Sequence, residues 1–257
     1  MSIKSKVLAT AATLTLFGGV GAAGVLATTT SANAATPSCG GSCINLFSHQ
    51  FGSFSSPNYA VDVLRQGEKT GQPIILFRQA NYDPAEDWTV AYQGNTSDFF
   101  AAGLVSAEVA LHYGCTTGTF TVACSSVGVD DPAFENEYAP FGVDSGLCMG
   151  VAATAFSDEG VTLQPCGVSS KTVWIADIFD SPSTVFSGYV PLINGSDTNF
   201  SQPFVLTYPN GSVPTDMPRP QLVVQNITGF SQGFPPGPEL GTVNDNQLWG
   251  ADSGVLN

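Results

Sequence analysis

The sequence predicts an all-β fold in which one structural unit occurs three times. Short apolar runs of strand-forming residues alternate with connections that hold most of the 28 glycines and 17 prolines, which is typical of a β-sandwich or β-barrel. In addition, an apolar run ending in Val precedes a Trp by 25, 23 and 25 residues. The pairs are Val63 and Trp88, Val151 and Trp174, and Val224 and Trp249. Because this spacing is constant within the copies and unequal between them, we expect insertions in the connecting loops.

Six segments carry the strand signal, and each is bounded by Gly, Pro, Asn or Asp. They are 72–77, 88–92, 161–164, 172–176, 204–208 and 221–225. The segment 99–112 is the only helix-like stretch, although its Val and Leu positions fit a strand equally well. No segment after residue 34 has the composition of an interdomain linker, so we expect a single domain at 35–257.

The first 34 residues have the pattern of a signal peptide for export. Lys4 and Lys6 precede an apolar stretch at 7–26, and the small residues of Ala32-Asn33-Ala34 follow it. A signal anchor that stays in the membrane is the alternative, because the apolar stretch approaches the length of a span. We expect cleavage after residue 34 and a secreted, extracellular protein without membrane insertion.

The charge of the expected mature chain excludes two classes of partner. Five basic residues stand against 21 acidic ones, which gives a net charge of −16 for residues 35–257. Phosphate backbones and anionic lipid headgroups would be repelled, so we expect neither nucleic acid nor a membrane surface as partner.

The six cysteines all follow the predicted signal peptide, which indicates disulfides. Of the fifteen possible sets of pairs, short-range closure favours Cys39 with Cys43, Cys115 with Cys124, and Cys148 with Cys166. A metal site is the alternative, but it usually needs tight spacings such as C-x-x-C, and no C-x-x-C occurs in this sequence. We therefore predict no metal and no cofactor.

The three copies resemble lobes of the ricin B-type β-trefoil lectins, whose order is C-L-D-V, a Gly turn, an apolar strand ending in Cys, and Q-x-W. Copy one begins with Ala60-Val-Asp-Val and ends with Glu86-Asp-Trp88, while copy two retains Cys148 and Cys166. Copy three begins with Gln221-Leu-Val-Val and ends with Gln247-Leu-Trp249. The resemblance implies a β-trefoil of three pseudo-repeats with long inserted loops. Its lobes would lie around 44–98, 134–180 and 204–257.

The resemblance also implies roles for individual residues. Trp88, Trp174 and Trp249 would fill the shared interior of the three lobes. Family lectins bind sugar through an acid in the C-L-D-V strand, an aromatic residue near the second cysteine position, and an Asn shortly after it. Copy one alone carries this set, as Asp62, Phe77 and Asn81. In the alternative interpretation Asp62 caps a turn and Phe77 belongs to the core.

We therefore expect non-catalytic binding of an extracellular glycan, with two other classes left open. A secreted hydrolase could use a pair of carboxylates on the inserted loops, and a trefoil can also bind or inhibit another protein through long loops. The densest acidic run is Asp130, Asp131, Glu135 and Glu137, which we interpret as a solvated loop. His49 and His112 lie in no catalytic motif. The oligomeric state is not predicted.

Overall fold

The computed structural model describes residues 38, 43–51, 59–114, 130–176, 189–209, 220–228 and 243–253. All of them belong to one compact unit, Ser31–Asn257. The predicted signal peptide at 1–34 lies outside the described residues. None of the helices among the described residues is long and apolar enough to cross a membrane.

The described residues form twelve β-strands that fall into three sets of four. The first set is β1 (Ile44–Ser48), β2 (Tyr59–Val63), β3 (Ile74–Arg78) and β4 (Trp88–Asn95). The second set is β5 (Pro132–Tyr138), β6 (Leu147–Val151), β7 (Glu159–Pro165) and β8 (Trp174–Ala176). The third set is β9 (Leu192–Asn194), β10 (Phe204–Thr207), β11 (Val223–Asn226) and β12 (Trp249–Ser253). We call these sets lobes one, two and three.

The outer strands of the lobes form a closed ring. Within lobes one and two the first strand pairs with the last. In lobe three, Val190, just before β9, forms a β-bridge with Trp249 at the start of β12. Between lobes, β4 pairs with β5, β8 with β9 and β12 with β1. A ring of six strands has no free edge, which removes the risk of pairing with other chains.

The inner strands of the lobes form three hairpins that meet one another beside the ring. The hairpins are β2–β3, β6–β7 and β10–β11. Backbone hydrogen bonds join all three: Leu163 N–H donates to Gln72 O (2.9 Å), Leu222 N–H to Ile74 O (2.8 Å), and Val161 N–H to Leu222 O (2.7 Å). A six-stranded barrel with three such hairpins is a β-trefoil, so the predicted fold class is confirmed.

The three tryptophans hold equivalent places in the lobes. Trp88, Trp174 and Trp249 are each at most 1% exposed and belong to one hydrophobic cluster. Each indole N–H donates to a backbone carbonyl in the second strand of its own lobe. The acceptors are Val61 (3.0 Å), Met149 (2.9 Å) and Leu206 (2.8 Å). Each ring thus ties the end of its lobe to that lobe's hairpin while filling the core.

The hydrogen bond from the Trp249 indole to Leu206 corrects the alignment of the third copy. The sequence comparison matched Val224 with Val63 and Val151, but Val224 lies in β11, the third strand of its lobe. The second strand of lobe three is β10, whose Leu206 accepts from Trp249. The match failed because a run such as Gln221-Leu-Val-Val fits any half-buried strand, and the variable loop lengths gave no independent register.

The segment with the ambiguous helix signal is helical. Two short helices, α1 (Thr96–Ala101) and α2 (Ala107–Tyr113), follow β4 and cover a second hydrophobic cluster. Asn95 and Asp98 form a capping box at the start of α1, and Ser106 Oγ accepts from Val109 N–H at the start of α2. Helices α1 and α2 account for part of the insertion expected after Trp88.

The disulfide prediction is confirmed for one pair, because Cys148 and Cys166 are bonded with a Cα–Cα distance of 5.0 Å. Cys43 is also disulfide-bonded. Cys39, Cys115 and Cys124 lie outside the described residues, so their pairing stays a prediction.

Candidate functional site

The three predicted binding residues lie on the β2–β3 hairpin and on the loop that follows it. Asp62 lies in β2 and Phe77 in β3. Their strand neighbours Val61 and Leu76 face the core, and because successive residues of a strand face opposite sides, Asp62 and Phe77 share the other side. Asp62 is 2% exposed, Phe77 is half-buried and Asn81 is exposed. Lobe one therefore has an aromatic ring and an amide at its surface, and a buried carboxylate on the same hairpin.

Two further carboxylates lie close to Asp62. Asp83 caps the 3-10 turn Pro84–Glu86 with its side chain, and Glu86 Oε1 accepts from Ala80 N–H at 3.1 Å. One oxygen from each of the three acids lies within 4.8 Å of the others. Pro84 presets the backbone of this turn, which brings Asp83 and Glu86 to Asp62.

The surface beside this acidic cluster carries an aromatic residue that sequence reasoning missed. Tyr82 is 67% exposed and has φ of 60°, a left-handed backbone conformation that is uncommon outside glycine. Its position between Asn81 and Asp83, in a polar connection that ends at Pro84, is the signal that could have identified it. An exposed Tyr in a fixed turn offers a flat apolar face with a polar end.

Burial and charge together perturb the carboxyl group of Glu86, which is 2% exposed. Its pKa is raised from 4.5 to about 9, first by burial and then by the negative charges of Asp62 and Asp83. The Ala80 N–H opposes this shift, and Asp87 adds a smaller repulsion. A carboxyl group with this pKa is neutral at pH 7.

Tyr138 lies in the same negative environment. Burial is the largest cause that raises its pKa, and carboxylates of lobe one add to the effect. These are Glu68, Asp62, Asp87 and Asp83. Tyr138 is fully buried, and its hydroxyl has no hydrogen-bond partner among the described residues.

The three carboxylates are the one group among the described residues whose spacing would admit a metal ion. Acidic oxygens this close together can share either a proton or a cation, and their spacing alone assigns neither. We assign no metal to this group, and the absence of a metal and a cofactor stays a prediction.

The other two lobes lack the binding set at the equivalent positions. Gly150 replaces Asp62 in lobe two, where a Cβ atom would lie 2.6 Å from the backbone oxygen of Lys171. In lobe three the register places Thr207 at this position, not Val223 as the sequence comparison had it. Gln164 and Gln225 occupy the position of Phe77. Only lobe one combines an acid with an aromatic residue.

The acidic run at 130–137 is not the solvated loop that the sequence indicated. Most of it is strand β5, and its carboxylates hold backbone and hydroxyl groups. Glu135 is fully buried and accepts from Gly167 N–H and Thr172 Oγ1. Asp130 accepts from Ser97, and Glu137 from Gly146 N–H. Charge-assisted bonds of this kind explain why the strand tolerates acids in the interior.

The two histidines occupy aromatic surroundings. His49 Nδ1 lies 3.0 Å from Asp245 Oδ1, and its ring packs edge-on against Tyr189. His112 stacks on Phe200 with ring centroids 4.5 Å apart, and burial lowers its pKa. Neither histidine contacts the lobe-one cluster in any interaction that the structure describes.

Comparison with known proteins identifies no family for this chain. No family model matches it, and no curated protein matches it. Among solved structures, a designed threefold-symmetric protein called ThreeFoil is similar, with a TM-score of 0.46 and 13% identity over 82% of this chain and 97% of its own. A mosquitocidal holotoxin has a TM-score of 0.46 and 10% identity, and an exo-β-1,3-galactanase from Clostridium thermocellum has 0.44 and 12%. This chain spans 17% and 30% of those two proteins. At such identities and TM-scores we draw no functional conclusion from them.

Proposed function

We propose that this protein is a secreted, non-catalytic carbohydrate-binding protein with its site on lobe one. The observation that carries the proposal is that the loop after β3 exposes Asn81 and Tyr82 and continues into a cluster of carboxylates, while β3 itself carries half-buried Phe77. Sugar recognition needs a flat aromatic face for the C–H side of the ring, and amide or carboxylate groups for its hydroxyls. No equivalent set occurs in the described parts of lobes two and three.

Each group has a distinct role in this proposal. Tyr82 and Phe77 supply apolar surface to the sugar ring, and the Asn81 amide both donates to and accepts from hydroxyl groups. Asp83 is half-buried and offers the accessible carboxylate. Because Asp62 is 2% exposed, we assign it the positioning of the loop that carries these residues.

Export is supported by the disulfides. The Cys148–Cys166 bond and the bonded state of Cys43 fit a compartment that is oxidising, such as the cell exterior. The cleaved signal peptide at 1–34 is part of the same proposal. Mass spectrometry of the exported protein tests it, and a mature N-terminus at Ala35 is the expected result.

A glycan array followed by affinity measurement tests the binding function. We expect the purified protein to bind at least one class of oligosaccharide, and Tyr82→Ala and Asn81→Ala to weaken that binding tenfold or more. The matched control is Val168→Ala, because Val168 holds the position of Asn81 in lobe two and is 70% exposed. Val168→Ala should bind as the wild type does, with all variants giving the same far-UV circular dichroism.

The two alternatives give different outcomes in the same experiments. A protein that binds no glycan but degrades a polysaccharide, and loses turnover when paired carboxylates are replaced, is a hydrolase. A protein that shows neither property and binds another protein through its inserted loops belongs to the third class. Either outcome refutes the proposed function.

A further inference from the structure

The non-glycine residues with a left-handed backbone are concentrated on three turns. Four of the five such residues in the described part of the chain lie there: Arg65 (φ 57°), Gln66 (φ 54°), Tyr82 (φ 60°) and Phe141 (φ 56°). The first turn, 64–66, follows β2, the second, 82–86, precedes β4, and the third, Pro140–Gly142, lies between β5 and β6. This conformation is uncommon for residues with a Cβ atom, so such residues mark turns that the surrounding structure holds in place.

The three turns adjoin one another. Cα atoms of the first and of the third turn come within 8 Å of Cα atoms in Pro84–Glu86, which is part of the second. The Gln66 side-chain amide donates to Asp83 Oδ1 at 3.3 Å, which joins the first turn to the second. The backbone N–H of Phe141 donates to Asp87 Oδ2 at 3.0 Å, so the third turn is bonded to the residue that directly follows the second. The turns therefore form one continuous region beside the lobe-one site.

Asp87 fixes the third turn to lobe one. It is fully buried, and its carboxylate also accepts from the backbone N–H and the hydroxyl group of Ser38. The Ala139 N–H donates to the backbone oxygen of Asp87 at 3.0 Å, and Pro140 restricts the backbone at the start of the turn. Because a buried carboxylate that accepts several hydrogen bonds has little freedom to move, the third turn has a defined place next to the second.

The aromatic side chains on these turns are exposed. Tyr82 is 67% exposed and Phe141 is 69% exposed, and Arg65 on the first turn is exposed as well. An aromatic ring that stays in water adds little hydrophobic stabilisation to the fold. Asn, Asp or Gly would fit a left-handed backbone better than Tyr or Phe. Neither burial nor backbone preference therefore explains the two aromatic residues, whereas contact with a ligand does.

We propose that the lobe-one site extends over the three turns and binds a stretch of glycan chain, with Tyr82 and Phe141 stacking on two different sugar rings. This inference rests on the proposed carbohydrate-binding function and names its ligand class as a chain of linked sugars, not a single terminal sugar. One sugar ring packs against one aromatic face, whereas a chain offers further ring faces along its length. Arg65 adds N–H donors for the hydroxyl groups of the same chain. The site stays on lobe one, and Phe141 is the contact that lobe two adds to it.

Affinities for oligosaccharides of increasing length test the extension. The series runs from monosaccharide to hexasaccharide, is built from the sugar class that binds on the array, and is measured by isothermal titration calorimetry. Tyr82→Ala should weaken the binding of every length. Phe141→Ala should weaken hexasaccharide binding about three- to tenfold, the size of one aromatic stacking contact, and leave monosaccharide binding unchanged. The matched control is Phe156→Ala, because Phe156 is 54% exposed in the β6–β7 connection, and this variant should bind every length as the wild type does.

The outcomes of this series separate the extension from the function on which it rests. If Tyr82→Ala weakens binding but Phe141→Ala binds every length as the wild type does, the lobe-one site binds sugar and the extension is wrong. If Phe141→Ala weakens the binding of monosaccharide and hexasaccharide equally, Phe141 acts through the fold of the site, and the extension is again wrong. If the protein binds no sugar of any length, the proposed function and the extension both fail.

Two further variants of Phe141 distinguish ligand contact from a structural role. Asn tolerates a left-handed backbone better than Phe, so Phe141→Asn should melt at or above the temperature of the wild type while binding the hexasaccharide as weakly as Phe141→Ala does. Phe141→Trp keeps a flat aromatic face and should keep the affinity of the wild type. A fall of more than about 4 °C in the melting temperature of Phe141→Asn would show that the ring packs in the fold, and would overturn the proposal.

Discussion

Gln247 joins the end of lobe three to β10 and to the chain after β11 through side-chain hydrogen bonds, and its replacement tests those bonds directly. It is 1% exposed and makes four hydrogen bonds, two at its oxygen with Thr228 and two at its nitrogen with Thr207 and Asn226. Gln247→Leu keeps the side-chain volume approximately but removes every donor and acceptor. Since Thr228 is exposed, water can replace the bonds lost there.

The cost of this change comes from Thr207, which is fully buried, and from the carbonyl of half-buried Asn226. The Asn226 carbonyl and Thr207 Oγ1 each lose a donor, and an unsatisfied buried polar group costs about 1–3 kcal/mol. Thr207 still donates to Val205 O, which limits its share. We therefore expect Gln247→Leu to lower the free energy of unfolding by about 2–4 kcal/mol.

Urea denaturation monitored by tryptophan fluorescence measures this change. The midpoint should fall without a change in slope, because the surface exposed on unfolding stays the same. Gln225→Leu is the matched control, since Gln225 makes one exposed hydrogen bond, to Asp158. Its effect should stay within about 0.5 kcal/mol. A loss below about 1 kcal/mol for Gln247→Leu would refute the reasoning, because it would mean that these bonds are not made in solution.

Two further predictions concern lobe two. Replacing Cys148 and Cys166 together by Ser opens a loop of 18 residues, which should cost about 3 kcal/mol in the same assay, and an unchanged midpoint would contradict the disulfide. Gly150→Ala places a Cβ atom 2.6 Å from a backbone oxygen, so it should destabilise by about 1–3 kcal/mol. In Gly160→Ala, the added Cβ atom meets only the flexible end of the Gln221 side chain, so this variant should lose less stability than Gly150→Ala. A larger loss for Gly160→Ala than for Gly150→Ala would show that the hairpin packs differently.

The fold was predictable from the sequence because its signals are local. Strand-forming runs bounded by turn residues predicted the strands, and the similar distances from Val63 to Trp88 and from Val151 to Trp174 predicted lobes one and two. The register of lobe three was not predictable in this way. Val224 and Leu206 both lie in apolar runs of similar pattern, and only the hydrogen bond from Trp249 identifies the second strand.

The candidate site was predictable in location but not in geometry. The sequence places Asp62, Phe77 and Asn81 in one copy, and the structure brings them to one hairpin and its loop. Glu86 comes close to Asp62 through a turn that begins at Pro84. The sequence places Glu86 in the glutamine position of Q-x-W, but no pattern in it shows that this acid is buried close to Asp62. The raised pKa of Glu86 therefore becomes visible only when these residues are assembled.

The central claim is that lobe one alone carries the binding site, and NMR mapping of backbone amides with a bound oligosaccharide tests it most directly. The ligand would be the oligosaccharide that binds most strongly on the array. We predict that its addition shifts the amide signals of residues 77–83 and leaves those of the equivalent segments, 164–168 and 225–228, unchanged. Shifts at those segments or in α1 and α2, with residues 77–83 unaffected, would contradict the account.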